Sequence, residues 1–497
     1  MQPTSAEGQQ AGQGARVRIL APAFVFGACM PFAFSPYDHK WLAIVALAGW
    51  LYLLWRGPAW WVGYAFGLGW FGVGAWWLAP TFHTYGPVAW PLAIAAVLLV
   101  GAVLALFPAL VAWVTRGLCR REPELLLVFP CVFVLEEWLR GCLLTGLPWT
   151  SLGNLLLDTP AVGWATYAGV YGMAALPAAM AATAFLLSRR PARLFGAAGA
   201  AACVAAVFLA PPPFKADGRV ATVALVQANI AQDVKWDASF LLETMRRYQR
   251  ASAAATADVL VWPEAAVPMF LSMAPDWDRW LSSKVRAWNV PLIFGGIQRE
   301  PDSRAAHNGI FLERPGDSKR QFVAKQHLVP FGEYVPSWLP FIRSLAPGIG
   351  DWQPSFDAGI LSDGERRYGS LVCYEAIFPE IAVARVRAGA EVLVNVTNDA
   401  WYGESPAAWQ HLQSARMRAV ETGRFMLRAA NTGITAIIAP DGRITQSTPW
   451  FGESVVQGTF TTSSAVTPFV RWGNAILLVF VLPLAMMGVF LWRGGRS

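Results

Sequence analysis

Three side chains suited to chemistry stand where apolar runs stop. Cys373 closes the run Gly369-Ser370-Leu371-Val372, Glu264 follows Val259-Leu260-Val261-Trp262-Pro263, and Lys325 ends the stretch 321–325. The end of a strand ahead of a helix N-terminus is where α/β folds put their reactive groups. The helix N-terminus also lowers the pKa of a thiol placed there. Brought to one sheet edge, a thiol, a carboxylate and an ammonium are the parts of nucleophilic catalysis, because a base and a cation make thiolate accessible. Cys373 is the single cysteine between Pro211 and Val470, so it has no disulfide partner in that region. A lone thiol is either a core residue or a reactive group, and its position at a strand end favours the second. A charge leaving the core at a strand end explains one such residue well and three poorly. No CxxC or His/Cys cluster is present, so neither a metal nor a cofactor is expected.

The elements that must position these groups follow from the pattern of residues 211–470. Pro211-Pro212-Pro213 opens a linker. Strands are expected over 219–227, 258–262, 291–298, 308–313, 321–325, 368–373, 391–397, 434–439 and 454–460. Helices are expected over 238–254, 378–388 and, as one long element, 406–428. Short β-rich runs alternating with helices predict an α/β sandwich.

Outside that region the chain is unusually apolar. Hydrophobic residues make up 55% of the 497 and charged residues 14%, with 25 Trp and a mean hydropathy of +0.39. This excludes disorder. Apolar stretches run over about 17–35, 41–55, 58–79, 89–114, 124–144, 161–187, 194–210 and 472–492, against about 20 residues for a membrane span. The stretch 41–55 is short enough to be a re-entrant hairpin. The other five cysteines, Cys29, Cys119, Cys131, Cys142 and Cys203, lie in or beside these stretches and read as small apolar residues. Within 124–144, Glu136, Glu137 and Arg140 read as an intramembrane ion pair, or as an arginine that meets a lipid phosphate or the soluble domain. Trp149, just beyond, is expected at the outer interface.

The net charge of +7 and a pI near 9.2 raise the question of nucleic acid. Residues 212–470 hold 25 Lys+Arg and 25 Asp+Glu, so the entire excess lies in the apolar flanks. Eleven arginines cluster on alternate connections: Arg16 and Arg18; Arg56; Arg116, Arg120 and Arg121; Arg189, Arg190 and Arg193; Arg493 and Arg496. By the positive-inside rule, seven spans, an external domain and one last span place both termini in the cytoplasm. Nucleic-acid binding has no support.

At Trp262-Pro263-Glu264, at Lys325-Gln326-His327-Leu328-Val329-Pro330-Phe331-Gly332-Glu333-Tyr334, at Val372-Cys373-Tyr374-Glu375 and at 395–403 (NVTNDAWYG), the chain resembles the nitrilase superfamily. More closely it resembles the apolipoprotein N-acyltransferase family, to whose domain start Gln227-Ala228-Asn229-Ile230 and Trp236 also correspond. The resemblance implies a multi-span helical membrane domain joined to a nitrilase-like αββα sandwich. The expected boundaries are a cytoplasmic tail 1–16, seven spans 17–210, a linker 211–218, a periplasmic catalytic domain 219–465, a last helix 468–492 and a tail 493–497.

The resemblance further implies Cys373 as nucleophile, Glu264 as general base and Lys325 as stabiliser of the oxyanion. Glu333, Tyr374, Glu375 and Trp236 are the implied supporting residues. The implied reaction moves the sn-1 acyl chain of a phospholipid, phosphatidylethanolamine by preference, through a Cys373 thioester to the N-terminal amine of a diacylglyceryl-cysteine lipoprotein. The implied setting is a bacterial inner membrane. From its residues, the apolar segment with Trp338, Leu339, Phe341, Ile342, Leu345, Ile349 and Trp352 reads as either packed core or a mobile lid touching the membrane, and the lid is the favoured expectation. The rival readings are a membrane-anchored nitrilase-type amidase, Cys373 paired with His327 or His411, and a transporter with a ligand-binding outer domain. Seven spans argue against the first, and the scarcity of intramembrane charge against the last.

Overall fold

The computed structural model describes residues 5–86, 88–300, 305–340, 343 and 350–494. Its C-terminal half contains two six-stranded sheets. The first is built from β1 (Val220–Gln227), β2 (Val259–Phe270), β3 (Leu292–Arg299), β4 (Ala306–Glu313) and β5 (Gln321–Ala324). The second is built from β6 (Ile360–Ser362), β7 (Arg367–Val372), β8 (Val392–Thr397), β9 (Met426–Ala430), β10 (Ala436–Ile438) and β11 (Ile444–Ser447). The last strand, β12 (Ser454–Thr461), returns to the first sheet, and the orders are β12-β1-β2-β3-β4-β5 and β11-β10-β9-β8-β7-β6. In each sheet three central strands are parallel and the rest antiparallel.

The two sheets face each other over a dry core. Val223, Leu225, Val259, Val261, Ile293 and Leu312 meet Val372, Val392, Val394, Val396, Leu427 and Ile437, all essentially without exposure. Strands with both faces covered read as continuous apolar runs, as Val259–Trp262 and Val392–Val396 do. The amphipathic helices Leu241–Ala253 and Pro275–Trp288 cover the first sheet through Met245, Tyr248, Leu281 and Val285. The helices Pro379–Arg387 and Pro406–Thr422 cover the second. The layers are therefore α, β, β, α.

Most expected elements are present, with shifts of a few residues. The helix expected over 406–428 stops at Thr422. Gly423 takes a left-handed φ of 64°, and the fully buried run that follows becomes β9. The short strands β6 and β11 and the helix Pro275–Trp288 were not expected from the pattern.

The N-terminal half is helical. Among the described residues, three helical stretches are long and apolar enough to cross a membrane: Trp90–Leu118, Arg190–Phe208 and, after the sandwich, Pro468–Val489. The stretch read as 161–187 is two helical pieces, Pro160–Met173 and Ala175–Ser188, bent by 69°. The short stretch 41–55 is the 14-residue helix Trp41–Leu54. Leu125–Cys142 carries the charged cluster.

The two halves pack through the helix Pro406–Thr422. Trp149 is buried, not interfacial, and its Nε1 donates to Gln410 at 2.7 Å. The Val170 amide donates to Glu421 Oε1 at 2.6 Å, and Arg416 pairs with Asp158. Behind this contact Arg140 sits 3.4 Å from Glu136 and 3.7 Å from Glu137, and donates to the Leu147 and Trp149 carbonyls at 2.8 Å each. Arg140 thus holds the loop on which the other half rests. Buried Arg at a site of this kind is tolerated because its charge lies between two carboxylates and its Nη1 donates to two carbonyls.

Candidate active site

Glu264, Lys325 and Cys373 converge, each buried to 7% exposure or less. Lys325 and Cys373 follow the ends of β5 and β7, whereas the strand expected to stop at 262 runs on to Phe270, so Glu264 lies inside β2 and the three groups come from two sheets rather than one sheet edge. Cys373 immediately follows β7 with a φ of 49°. A left-handed φ at a residue with a Cβ costs about 1–3 kcal/mol and persists only where its surroundings enforce it. The enforcing contacts are visible. His411 Nε2 lies 2.9 Å from the Cys373 carbonyl oxygen, and a carbonyl only accepts, so Nε2 carries the proton. His411 Nδ1 is 2.9 Å from Asp399 Oδ1, Arg428 donates to Asp399 Oδ2 at 2.7 Å, and Arg428 also bonds Asn395. Asn395 donates to the Leu371 carbonyl at 3.1 Å. This fully buried group grips the main chain on both sides of the nucleophile. His411 therefore touches the backbone of Cys373, which leaves the Cys–His pairing without geometric support.

Glu375 performs the corresponding task for the lysine. Its Oε1 accepts from the amides of Gln326 (2.7 Å) and His327 (3.0 Å), and its Oε2 accepts from the Val372 amide (2.7 Å). One carboxylate so ties the exit of β5, where Lys325 stands, to the exit of β7, where Cys373 stands. Lys325 Nζ pairs with Glu333 Oε2 at 2.8 Å. Glu333 also accepts from the Val329 amide at 2.8 Å, which closes the 329–334 turn around it. Asn308 Nδ2 bridges the two glutamates, at 2.8 Å from Glu264 Oε1 and 3.1 Å from Glu333 Oε1.

Glu264 sits on a break in β2, whose pairing with β3 jumps from Trp262 to Val267. Gly295 on β3 makes the break possible, since a Cβ there would lie 2.5 Å from the Glu264 Cα.

The electrostatics suit a resting thiol beside a permanent cation. Burial pushes Cys373 well up and the Glu264 charge adds to it, while Lys325 and a hydrogen bond from Thr397 pull the other way without prevailing. For Lys325 burial acts downward, but Glu333, Glu264 and Cys373 outweigh it and hold the ammonium well above its usual range. A thiol that rests protonated must give up its proton as it attacks, and Glu264 is the carboxylate whose charge acts on it most. His327, half-buried near Lys325 and packed 4.0 Å from the Phe378 ring, is held down at about 4 by burial and by the Lys325 charge and stays neutral.

Tyr374 is buried and donates from its hydroxyl to the Gly146 carbonyl of the helical half at 3.1 Å. Trp236 is half exposed. Of the expected lid, Trp338 is exposed and Leu339 and Trp352 are described, whereas Phe341, Ile342, Leu345 and Ile349 lie outside the described residues. Sequence reasoning did not single out Asn308, Asp399, Asn395, Arg428 or Lys235. Asp399 and Asn395 stand inside the NVTNDAWYG motif, which was the available signal.

A thiol, a carboxylate and an ammonium on an αββα sandwich define a thiol-dependent acyl-group enzyme of the carbon–nitrogen hydrolase class, here fused to apolar helices. Residues 222–466 match the carbon-nitrogen hydrolase family model and residues 26–183 that of the apolipoprotein N-acyltransferase N-terminal domain. The apolipoprotein N-acyltransferase of Ralstonia nicotianae is 37% identical over 93% of this chain and 91% of its own. That of Geobacter metallireducens is 36% identical over 84% of each, and that of Nitrosomonas europaea 34% over 96% and 98%. A crystal structure of an amidase from Nesterenkonia sp. overlaps 52% of this chain and 94% of its own at 18% identity, with a TM-score of 0.38. The chain belongs to the apolipoprotein N-acyltransferase family. It is an acyltransferase and a bacterial membrane protein.

Proposed function

We propose that the chain moves an acyl group from a phospholipid to the N-terminal amine of a lipoprotein by way of a thioester on Cys373. In the first half-reaction the Cys373 sulfur attacks the carbonyl of the sn-1 ester while its proton passes to Glu264. Lys325 faces the oxyanion that develops, a contribution on the order of 3–4 kcal/mol for a fixed donor. The carbon–oxygen bond then breaks, and the lysophospholipid alkoxide leaves with the proton from Glu264. In the second half-reaction the free α-amine of a diacylglyceryl-cysteine attacks the thioester. Glu264 removes the amine proton, and the Cys373 thiolate departs as the amide forms. Phosphatidylethanolamine is the donor we expect, by the family resemblance.

The observation that carries this reading is the convergence of Glu264, Lys325 and Cys373 as a buried cluster, with Tyr374 beside the nucleophile bonded to the helical half. Burial favours transfer over hydrolysis, since water competes poorly for a thioester inside a dry site. The alternation of arginine clusters supports seven spans before the catalytic domain, a periplasmic position for that domain and cytoplasmic termini.

The test is direct. Full-length protein incubated with phospholipid labelled at sn-1 should gain one acyl mass on Cys373, removable by neutral hydroxylamine. Cys373→Ser should show no such labile adduct. No adduct on the wild type, or the same adduct on the variant, refutes the mechanism. A family member that hydrolysed the thioester with a lipoprotein amine present would instead favour the amidase reading.

A further inference from the structure

The loop between β1 and the helix Leu241–Ala253 holds a second buried lysine that the triad does not use. Lys235 is 4% exposed, and its Nζ donates to the main-chain carbonyl of Glu264 at 2.8 Å. That carbonyl lies in the broken stretch of β2, immediately before Ala265, whose φ is 45°. The Glu264 side chain is held by Asn308; its main chain is held by Lys235.

The loop that bears Lys235 is in turn fastened to the sheet of the nucleophile. The Ile230 amide donates to Asn431 Oδ1 at 3.0 Å, and Asn431 Nδ2 donates back to the Ile230 carbonyl at 2.7 Å. Asn398 donates to Gln232 at 2.6 Å. Lys235 is thus a strut from the Cys373 sheet to the base on the other sheet.

We propose that Lys235 is a positioning residue for acyl transfer: its ammonium fixes the bent main chain that aims Glu264 and balances the charge of the pocket. The inference rests on the acyl-transfer reading above. The charge count supports it. Around Glu264, the carboxylates of Glu264 and Glu333 stand against the ammoniums of Lys325 and Lys235 while the thiol keeps its proton. Glu264 feels Lys235, Lys325, Cys373 and Tyr402, and shares Asn308 with Glu333. Burial draws Lys235 down to about 8 while Glu264 and Cys373 pull it back up, which leaves it a cation at neutral pH. Removing that charge leaves two carboxylates against one ammonium. The site then gives up protons less readily, and the acidic limb of the rate profile moves to higher pH.

The experiment measures thioester formation on full-length K235M, K235Q and K235R in detergent with sn-1-labelled phospholipid, from pH 5 to 9, together with thermal unfolding. K235M should acylate about 100-fold more slowly than wild type, the scale of misplacing a general base. K235Q, which keeps a donor but no charge, should recover part of the rate with its acidic limb still displaced. K235R, which keeps the charge, should return the limb to the wild-type position. Acylation of K235M at the wild-type rate per folded molecule overturns the proposal, as does an unmoved limb in K235Q. If K235M does not fold, the limb of K235Q decides the matter. Failure of the wild type to form a thioester would instead refute the acyl-transfer reading itself.

Discussion

Replacing Glu375 with glutamine should loosen the tie between the lysine and the nucleophile at a cost that can be worked from the contacts. The carboxylate accepts three main-chain amides, two on Oε1 and one on Oε2. It is 1% exposed, and burial raises its pKa despite Arg385 and these bonds. An amide has one oxygen. If it keeps the Gln326 and His327 amides, its NH2 faces the Val372 amide, donor against donor. One charge-assisted bond is lost, worth about 1.5–3 kcal/mol, and two others become neutral ones, at about 1 kcal/mol less each. Relief of the buried charge offsets part of this, leaving a loss of about 3 kcal/mol. At about 2–4 °C per kcal/mol for a domain of this size, the unfolding midpoint should fall by roughly 6–12 °C. The assay is thermal unfolding of full-length protein in detergent, with thioester formation followed below the midpoint. Acylation should slow as well, because Lys325 and Cys373 lose their common brace. An unfolding midpoint within a degree of wild type and an unchanged acylation rate would refute the reasoning.

Two further outcomes follow from the same geometry. Glu333→Ala removes the partner of a lysine that is 1% exposed; it should cost about 3–5 kcal/mol, as breaking a buried pair does, read as a lowered denaturant midpoint. Asp399 is held at about 2: burial acts upward, but Arg428 and His411 overcome it. A carboxylate with a depressed native pKa contributes stability above its unfolded value near 4 and loses it as pH falls towards 2. Asp399→Asn should therefore weaken the protein at neutral pH, and acid titration of its stability should lack a component of about 2 kcal/mol that the wild type loses between pH 4 and 2.

The candidate triad was legible because Glu264 and Cys373 follow runs, Val259–Trp262 and Gly369–Val372, that are buried strand in the fold, and Lys325 follows the short strand β5. Glu333, Tyr374 and Glu375 were readable because they flank triad members inside motifs that resemble those of a known family. The residues that hold the triad in place were less accessible. Asn308, His411 and Arg428 are ordinary polar residues on elements distant in sequence. Their roles arise only when two sheets and a helix meet, and a local pattern records none of that. Lys235 was passed over for Trp236 beside it, since an aromatic residue draws notice and a buried lysine has no sequence signature. The helix expected through 428 failed for a plainer reason: Arg424 and Arg428 fit a helical face as well as they fit a strand. Only Gly423, with its left-handed turn, separates the two.

The helix Pro406–Thr422 has one face on the sheet of the nucleophile and another on the apolar helices. Gln410, Glu421 and Arg416 bond across that second face to Trp149, Val170 and Asp158. Tyr374, adjacent to the nucleophile, bonds across it as well. A cut at the proline linker would separate two segments of chain without separating two folding units. The excised catalytic half would keep its sandwich but present an apolar, partly charged helix to water, with Cys373 one residue from an anchor it no longer has. The fragment that looks soluble on paper is half of a joint.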